Sequence, residues 1–211
     1  MSTLSPHAVQ RVHDVTANFF FWQGLRWVPM GAALLAVAWG LGPDTPVPDA
    51  WQTPLLLATM AVSLGLSSMA GRWYARSYGR VRARPGMHAR RTRTKWLVVY
   101  PLVAVALIVD AVWKLPVLTS GLAFAGAIEA YRRSTGGGRR HYIVASALFI
   151  AIAFVPVVGL VTPGAPALDW VLALLGATYV VGGVLDHFEL RRVLPGAGQL
   201  DDPTEIVAGT R

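Results

Sequence analysis

Long apolar stretches without a single charge separate the few segments into which the charges of this 211-residue chain are gathered. Residues 50–71, 142–168 and 170–185 are examples. An α-helix rises about 1.5 Å per residue, so about 20 apolar residues cross a hydrocarbon core near 30 Å thick. Charged residues make up 14% of the chain, against about 25% in soluble domains. The sequence therefore predicts an all-α, polytopic transmembrane helical bundle.

Six helical spans account for the apolar stretches within one membrane domain, residues 1–194. The predicted spans are 21–41, 54–71, 96–113, 116–131, 142–161 and 166–187. Before the first span, Val9, Val12 and Val15 recur at helical spacing between polar residues, which predicts an N-terminal amphipathic helix lying on the membrane surface. We expect the polar tail, residues 195–211, to be disordered.

Basic residues near the span ends set the expected orientation. With both termini in the cytoplasm, all of the 19 lysine and arginine residues except Lys114 lie on the cytoplasmic side. Arginine far outnumbers lysine, which fits a GC-rich bacterial genome. Because basic residues concentrate in cytoplasmic loops, we expect a bacterial inner-membrane protein with both ends inside the cell.

The most basic stretch, residues 72–95, follows the second predicted span and contains no acidic residue. Its candidate anion-binding residues are Arg72, Arg76, Arg80, Arg82, Arg84, Arg90, Arg91 and Arg93. Arg72, Arg76 and Arg80 lie at helical spacing, where like charges repel, so the stretch needs an anionic partner. Anionic lipid headgroups are one interpretation and an acidic cytoplasmic or membrane protein is another. Interleaved aromatic residues also suit single-stranded nucleic acid, which a position beside a membrane disfavours.

A second candidate site lies at the end of the last span. The expected topology brings this end together with the cytoplasmic ends of the fourth and fifth spans. Together they supply Glu129, Arg132, Arg133, His141, Asp186, His187, Glu189 and Arg192. We expect a structural ion-pair network in which Asp186 pairs with Arg192 or with an arginine of the loop after the fourth span. Because consecutive helical residues point about 100° apart, His187 should face a different neighbour.

A metal or proton site and a partner-binding surface remain alternatives for this cluster. However, the spacings His-x-x-x-His and Glu-x-x-His, which bring metal ligands onto one helix face, are absent, and the chain has no cysteine. It also has no P-loop, no Gly-x-Ser-x-Gly elbow and no carboxylate near the centre of a span. We therefore predict neither a resident metal nor a cofactor.

The leading functional hypothesis is a non-enzymatic inner-membrane protein that binds or regulates a protein partner through its arginine-rich cytoplasmic face. A small permease or channel, assembled as a homo-oligomer, is the first alternative. A lipid-modifying membrane enzyme that uses Glu129, His141, Asp186 and His187 is the second.

Several polar residues and prolines inside the predicted spans lead to predictions about local structure. Arg26 should extend toward the cytoplasmic interface along its own aliphatic stem, and Asp110 should pair with Lys114 one helical turn later. Three prolines should kink their spans: Pro29, Pro101 and Pro156. We also expect the helix of the second span to continue as far as Pro85.

The stretches WYARSYGRVRARPG and YVVGGVLDHFELRRVLP resemble segments of a group of uncharacterised bacterial integral membrane proteins. That group is similar in having an aromatic and arginine-rich segment after the second span and a last helix with Gly-Gly-x-Leu-Asp-His. The resemblance implies a six-helix bacterial membrane protein and an association with small winged-helix regulators. It assigns no catalytic or binding residue.

Overall fold

The computed structural model describes residues 19–40, 47–78, 87–134, 139–162 and 165–193. Within these ranges all regular secondary structure is helical, which confirms the all-α class for the described part of the chain. The helices are α1 Phe19–Trp22, a 3-10 helix Gly24–Arg26, α2 Val28–Gly40, α3 Asp49–Ser77, α4 Met87–Trp113, α5 Thr119–Ser134, α6 Arg140–Ala153 and α7 Ala165–Val193. The predicted amphipathic helix before Phe19 and the tail, residues 195–211, lie outside the described residues.

Two helices are long and apolar enough to cross a membrane. They are Ala50–Ser77 within α3 and Ala167–Arg192 within α7. Leu97–Trp113 and Arg140–Ala153 are apolar but shorter. Six spans therefore stay a prediction.

The first predicted span, residues 21–41, is not one continuous helix. α1 ends at Trp22, and α2 begins only after the 3-10 helix Gly24–Arg26. The 13 residues of α2 rise about 20 Å at 1.5 Å each. Pro29 lies in the first turn of α2, where its missing N–H leaves no helical hydrogen bond unmade, so it begins a helix instead of kinking one.

Side chains of α3 satisfy the backbone groups that this break frees. The Tyr74 hydroxyl lies 3.3 Å from the Leu25 N–H and accepts from it. Ser67 Oγ donates to the Arg26 carbonyl oxygen at 2.7 Å. Because buried backbone polar groups need hydrogen-bond partners, these two contacts allow the break to lie against α3.

The helix in the fifth predicted span, residues 142–161, ends before the span does. α6 ends at Ala153 and turns follow. Pro156 has no N–H and disfavours the helical conformation of the residue before it, so it ends the helix rather than kinking it. The freed carbonyl of Ala153 accepts from the Leu118 N–H at 2.9 Å. Pro101, by contrast, lies inside the continuous helix α4.

The predicted pair of Asp110 and Lys114 is absent from the described residues, and this prediction was wrong. Asp110 Oδ1 accepts from the Thr119 N–H at 2.8 Å, and Oδ2 accepts from the Ser120 N–H at 2.7 Å. The first N–H groups of a helix lack helical partners and carry partial positive charge, so the buried Asp110 caps α5. Lys114 is exposed in the connection, with φ 46°.

The helices α2 and α7 cross with their backbones in contact. A Cβ atom added to Gly24 would lie 1.9 Å from the Gly183 carbonyl oxygen, and one added to Gly31 would lie 2.6 Å from the Gly176 carbonyl oxygen. Small residues allow such close approach between membrane helices. Since Gly24 faces Gly183 and Gly31 faces Gly176, the two segments run antiparallel.

The main apolar core lies where α5, α6 and α7 meet, around the buried Leu118, Phe149 and Val171. At one end of α6, Tyr142 bonds Asp186 of α7. The opposite ends of α6 and α7 pack in this core, so these helices are antiparallel as well. The bundle therefore has two distinct ends.

Candidate functional site at the basic end

One end of the bundle, here called the basic end, gathers the C-termini of α3, α5 and α7, the N-terminus of α6 and the broken segment before α2. Tyr74 of α3 contacts His187 of α7 there, with 2.8 Å between the hydroxyl and Nδ1. Arg139, just before α6, contacts Asp186 of α7. The exposed arginines of this end are Arg72, Arg76, Arg133, Arg140, Arg191 and Arg192.

A buried ion pair lies inside the basic end. Arg139 Nη1 is 2.8 Å from Asp186 Oδ2, and their side chains are 3% and 1% exposed. The Tyr142 hydroxyl donates to the same carboxylate oxygen at 2.8 Å, and Arg139 Nη1 also donates to the Tyr131 hydroxyl at 3.0 Å. The guanidinium carbon lies 3.9 Å from the centroid of the Trp22 ring, a cation–π contact. We name these five residues and His141 the Arg139 cluster.

His141 is a half-buried member of the Arg139 cluster, with a side chain 25% exposed. Its Nε2 lies 3.3 Å from Asp186 Oδ1 without forming a hydrogen bond. Two nitrogens of Arg139, Nε and Nη2, and Trp22 Nε1 are also buried without a hydrogen-bond partner. The cluster thus contains both satisfied and unsatisfied polar atoms.

The backbone contact between α7 and the broken segment positions this cluster. A Cβ atom on Gly24 would lie 2.9 Å from the Asp186 Cβ as well as against Gly183. Only a glycine allows the backbone at position 24 to lie this close to α7. The neighbouring Trp22 then lies against the Arg139 guanidinium. The sequence feature that builds the cluster is therefore Gly24 on one segment and Gly183 one turn before Asp186 on the other.

Glu129 forms a separate set with two arginines of its own helix and is half-buried. Arg132 Nε and Nη2 donate to its two carboxylate oxygens, each at 2.7 Å, and Arg133 Nε donates at 2.6 Å. The hydrogen bonds to Glu129 raise the pKa of the Arg132 guanidinium above its ordinary value. The Arg133 side chain is 75% exposed. These contacts join residues one helical turn apart within α5.

His187 faces away from the Arg139 cluster. Its Nδ1 forms a hydrogen bond with the hydroxyl of Tyr74 in α3, and its ring lies against Trp73 of α3. Glu189 is half-buried, and Arg192 is exposed.

The eight residues expected to form one network therefore lie in different places. Asp186 and His141 share the Arg139 cluster, Glu129 pairs with its own helix neighbours, and His187 joins α7 to α3. Asp186 pairs with Arg139, which lies in the loop after the fourth predicted span. The sequence analysis offered this loop and Arg192 as alternatives, and Arg192 is not the partner. Trp22, Tyr131 and Tyr142 were not expected. A tyrosine on each side of the Arg139 loop was the available signal for two of them; nothing local marked Trp22.

The arginine-rich stretch is described only in part. Arg72 and Arg76 are exposed on the last turns of α3, which ends at Ser77 and so stops short of the predicted Pro85. Arg80, Arg82 and Arg84 lie outside the described residues, and so do the side chains of Arg90, Arg91 and Arg93, although their backbone belongs to α4. Arg26 is half-buried along α3, where a Cβ atom on Gly71 would lie 3.1 Å from its Nε.

The described residues contain no group of three or more histidine, cysteine, aspartate or glutamate side chains that could hold a metal ion. A groove of about 160 Å³ on α4 is apolar, lined by Val105, Ile108, Val109, Val112 and Trp113. It offers no polar group to orient a substrate. The Arg139 cluster is therefore the part of the described structure with the most unusual chemistry.

Comparison with known proteins gives no matching family model, no matching curated protein and no matching solved structure. The resemblance to bacterial integral membrane proteins with a Gly-Gly-x-Leu-Asp-His helix stays a prediction.

Proposed function

We propose that this chain is a polytopic inner-membrane protein with both termini in the cytoplasm, and that its basic end binds an acidic protein partner without catalysing a reaction. The observation that carries the proposal is the contrast between the two ends of the bundle. Exposed arginines gather at one end, and the four most exposed tryptophans of the described structure gather at the other.

The tryptophan end comprises four exposed tryptophans on four helices. They are Trp39, Trp51, Trp113 and Trp170, between 57% and 88% exposed. They lie at the C-termini of α2 and α4 and near the N-termini of α3 and α7. Tryptophan is enriched where a membrane meets water, whereas arginine is enriched on the cytoplasmic side. The two ends therefore suit the two faces of one membrane.

The sides of the bundle between these ends are apolar. Leu57 and Val62 on α3, Val98 and Ile108 on α4, and Val181 on α7 are each more than half exposed. Soluble monomers rarely expose contiguous apolar patches larger than a few hundred Å². A hydrocarbon environment removes the cost of exposing these side chains to water.

The directions of the helices support an even number of crossings. The segments α2 and α3 are antiparallel, because Ser67 contacts Arg26 whereas Ser63 approaches Met30. The pairs α2–α7 and α6–α7 are antiparallel as well. Alternating directions return the chain to its starting side, which agrees with the distribution of basic residues.

The charge of the basic end indicates the chemistry of its partner. Among the acids of this end, Glu129 and Asp186 pair with arginines. Its six exposed arginines lie on four segments. An acidic protein surface complements such a face and is steered toward it, while anionic lipid headgroups occupy the arginines nearest the bilayer.

Co-purification with charge-matched variants tests this function. Arg133, Arg140, Arg191 and Arg192 are replaced together by glutamine in one variant and by lysine in another, which keeps the charge. We expect the parent and the lysine variant to retain a stoichiometric acidic protein after mild solubilisation, and the glutamine variant to lose it, as does the parent at high salt. Equal retention by the glutamine variant, or no such protein with the parent, would contradict the proposal.

A further inference from the structure

The Arg139 cluster contains five of the six side-chain polar atoms that are buried without a hydrogen-bond partner in the described structure. They are Arg139 Nε and Nη2, Trp22 Nε1, His141 Nε2 and Asp186 Oδ1; the sixth is Ser120 Oγ, near the start of α5. Buried polar atoms nearly always have a partner, so a concentration of exceptions at one place calls for an occupant.

Two of the five atoms are able to satisfy each other. His141 Nε2 lies 3.3 Å from Asp186 Oδ1, so a small rotation of the imidazole ring with a proton on Nε2 makes the hydrogen bond. The three atoms that remain belong to Arg139 and Trp22, and all three are donors. The missing group is therefore an acceptor.

The geometry of these donors indicates the kind of acceptor. Nε and Nη2 form one edge of the guanidinium, with two parallel N–H groups that match two oxygens of a carboxylate or phosphate. Asp186 and Tyr131 occupy only Nη1. The Trp22 ring, with its buried and unpartnered indole N–H, lies against the same guanidinium. A water molecule fits less well, because its own two protons would need further acceptors.

We propose that the free edge of Arg139 and the indole N–H of Trp22 form a binding site for a phosphate group. The two sources of that group are an anionic phospholipid headgroup at the membrane face and free inorganic phosphate. The exposed Arg133 and Arg140 nearby raise the local concentration of either anion. These donor atoms are buried from solvent, so binding of the phosphate group requires the segment that contains Trp22 to move. The break in the helix after Trp22 allows that movement. The lipid source rests on the proposed membrane location, whereas the phosphate source does not.

Titration of the full-length protein with inorganic phosphate tests the site. The protein is held in a neutral detergent, and the heat of binding is measured for the parent and three variants. Arg139→Lys keeps the charge beside Asp186 but removes the two-nitrogen edge. Trp22→Phe keeps an aromatic ring and removes only the N–H. Arg132→Lys removes the same kind of edge from an arginine that Glu129 already satisfies, and serves as the matched control.

We expect saturable, one-to-one binding of phosphate by the parent, and affinity about tenfold or more weaker in both Arg139→Lys and Trp22→Phe, since each loses hydrogen bonds to a charged group. Arg132→Lys should stay within about twofold of the parent. Because Trp22→Phe leaves the ion pair intact, it decides the question even if Arg139→Lys unfolds.

Membrane vesicles distinguish the two sources. Thermal unfolding of each protein is compared in phosphatidylcholine vesicles with and without phosphatidylglycerol, in phosphate-free buffer. A stabilisation by phosphatidylglycerol that Trp22→Phe loses identifies the lipid headgroup, whereas phosphate binding without it identifies the free anion. Absence of binding by the parent in both experiments, or equal affinity in the parent and Trp22→Phe, would overturn the site. The glutamine variant of the exposed arginines retains Arg139 and Trp22, so loss of a protein partner and loss of phosphate remain separate results.

Discussion

Two arginines at the basic end, Arg132 and Arg139, both contact a carboxylate, yet they occupy opposite environments. Arg132 binds Glu129 one turn away on the same helix, where their side chains are 21% and 29% exposed, and both nitrogens of its edge are in use. Arg139 binds Asp186 on another helix, fully buried, with that edge left free. Exposed pairs are screened by water and contribute little, whereas breaking a buried pair leaves an uncompensated charge. The same chemistry therefore stabilises one helix turn in α5 but joins α6 to α7 at Asp186.

The largest expected effect comes from breaking the buried pair. Asp186→Asn keeps the shape of the side chain but leaves Arg139 without its counter-charge, so we expect a loss of about 3–5 kcal/mol in the free energy of unfolding. Titration with a denaturing detergent in mixed micelles measures it. Replacing both partners, as Asp186→Leu with Arg139→Met, should recover most of the loss, because the isolated charge disappears. If the double variant is less stable than Asp186→Asn, the pair contributes net stability that burial does not explain.

The next effect tests the backbone contact that closes the cluster. Gly24→Ala places a Cβ atom 1.9 Å from the Gly183 carbonyl oxygen, and backbone cannot move aside as a side chain does. We expect destabilisation of about 3 kcal/mol, at the upper end for overpacking. Gly65→Ala on α3 is the control, because nothing lies within 4 Å of its Cβ position; it should be neutral or stabilising, since alanine favours a helix. Similar losses for both glycines would mean that backbone flexibility, not the contact, matters.

A smaller effect isolates one hydrogen bond within the buried cluster. Tyr142→Phe removes the donor to Asp186 Oδ2, while Arg139 still contacts that oxygen, so we expect a loss of about 1.5 kcal/mol. The hydroxyl of Tyr78 has no hydrogen bond in the described structure, and Tyr78→Phe should leave the free energy of unfolding unchanged. Equal changes in the free energy of unfolding for Tyr142→Phe and Tyr78→Phe would mean that the Tyr142 hydroxyl contributes no stability.

The smallest effect belongs to the exposed pair. Glu129→Gln removes a carboxylate whose partners stay solvated, so its change in stability should be much smaller than that of Asp186→Asn. Higher salt should reduce it further, because exposed charges are screened, while the deficit of Asp186→Asn persists. Unfolding titrations of both variants at low and high salt measure the contrast. If Glu129→Gln lowers the free energy of unfolding as much as Asp186→Asn does, and equally at low and high salt, the two pairs do not differ in the way described.

The comparison also shows what a sequence reveals. Long apolar runs predicted the helices because burial of backbone polar groups in an apolar environment leaves few other solutions. Asp186 was recognised as a carboxylate near loop arginines because span order alone brings those ends together. The separation of His187 from Asp186 followed from helical periodicity.

The parts that the sequence did not predict depend on contacts between distant residues. The break after Trp22 lies inside the first predicted span, and the groups that satisfy it, Ser67 and Tyr74, belong to another helix. Asp110 was assigned to Lys114 because they are close in sequence, whereas the start of α5 offers two stronger donors. Local patterns describe helices well but do not describe which helix end meets which side chain.

The central claim is that the basic end and the tryptophan end lie on opposite sides of a membrane. The chain has no cysteine, so single cysteines placed at Trp39 and at Arg133, both highly exposed, can be labelled without background. Intact bacterial protoplasts expressing each variant are treated with a membrane-impermeant maleimide, before and after permeabilisation. The account predicts that Trp39→Cys reacts in intact protoplasts and that Arg133→Cys reacts only after permeabilisation. Labelling of both from outside, or of Arg133→Cys alone, would contradict it.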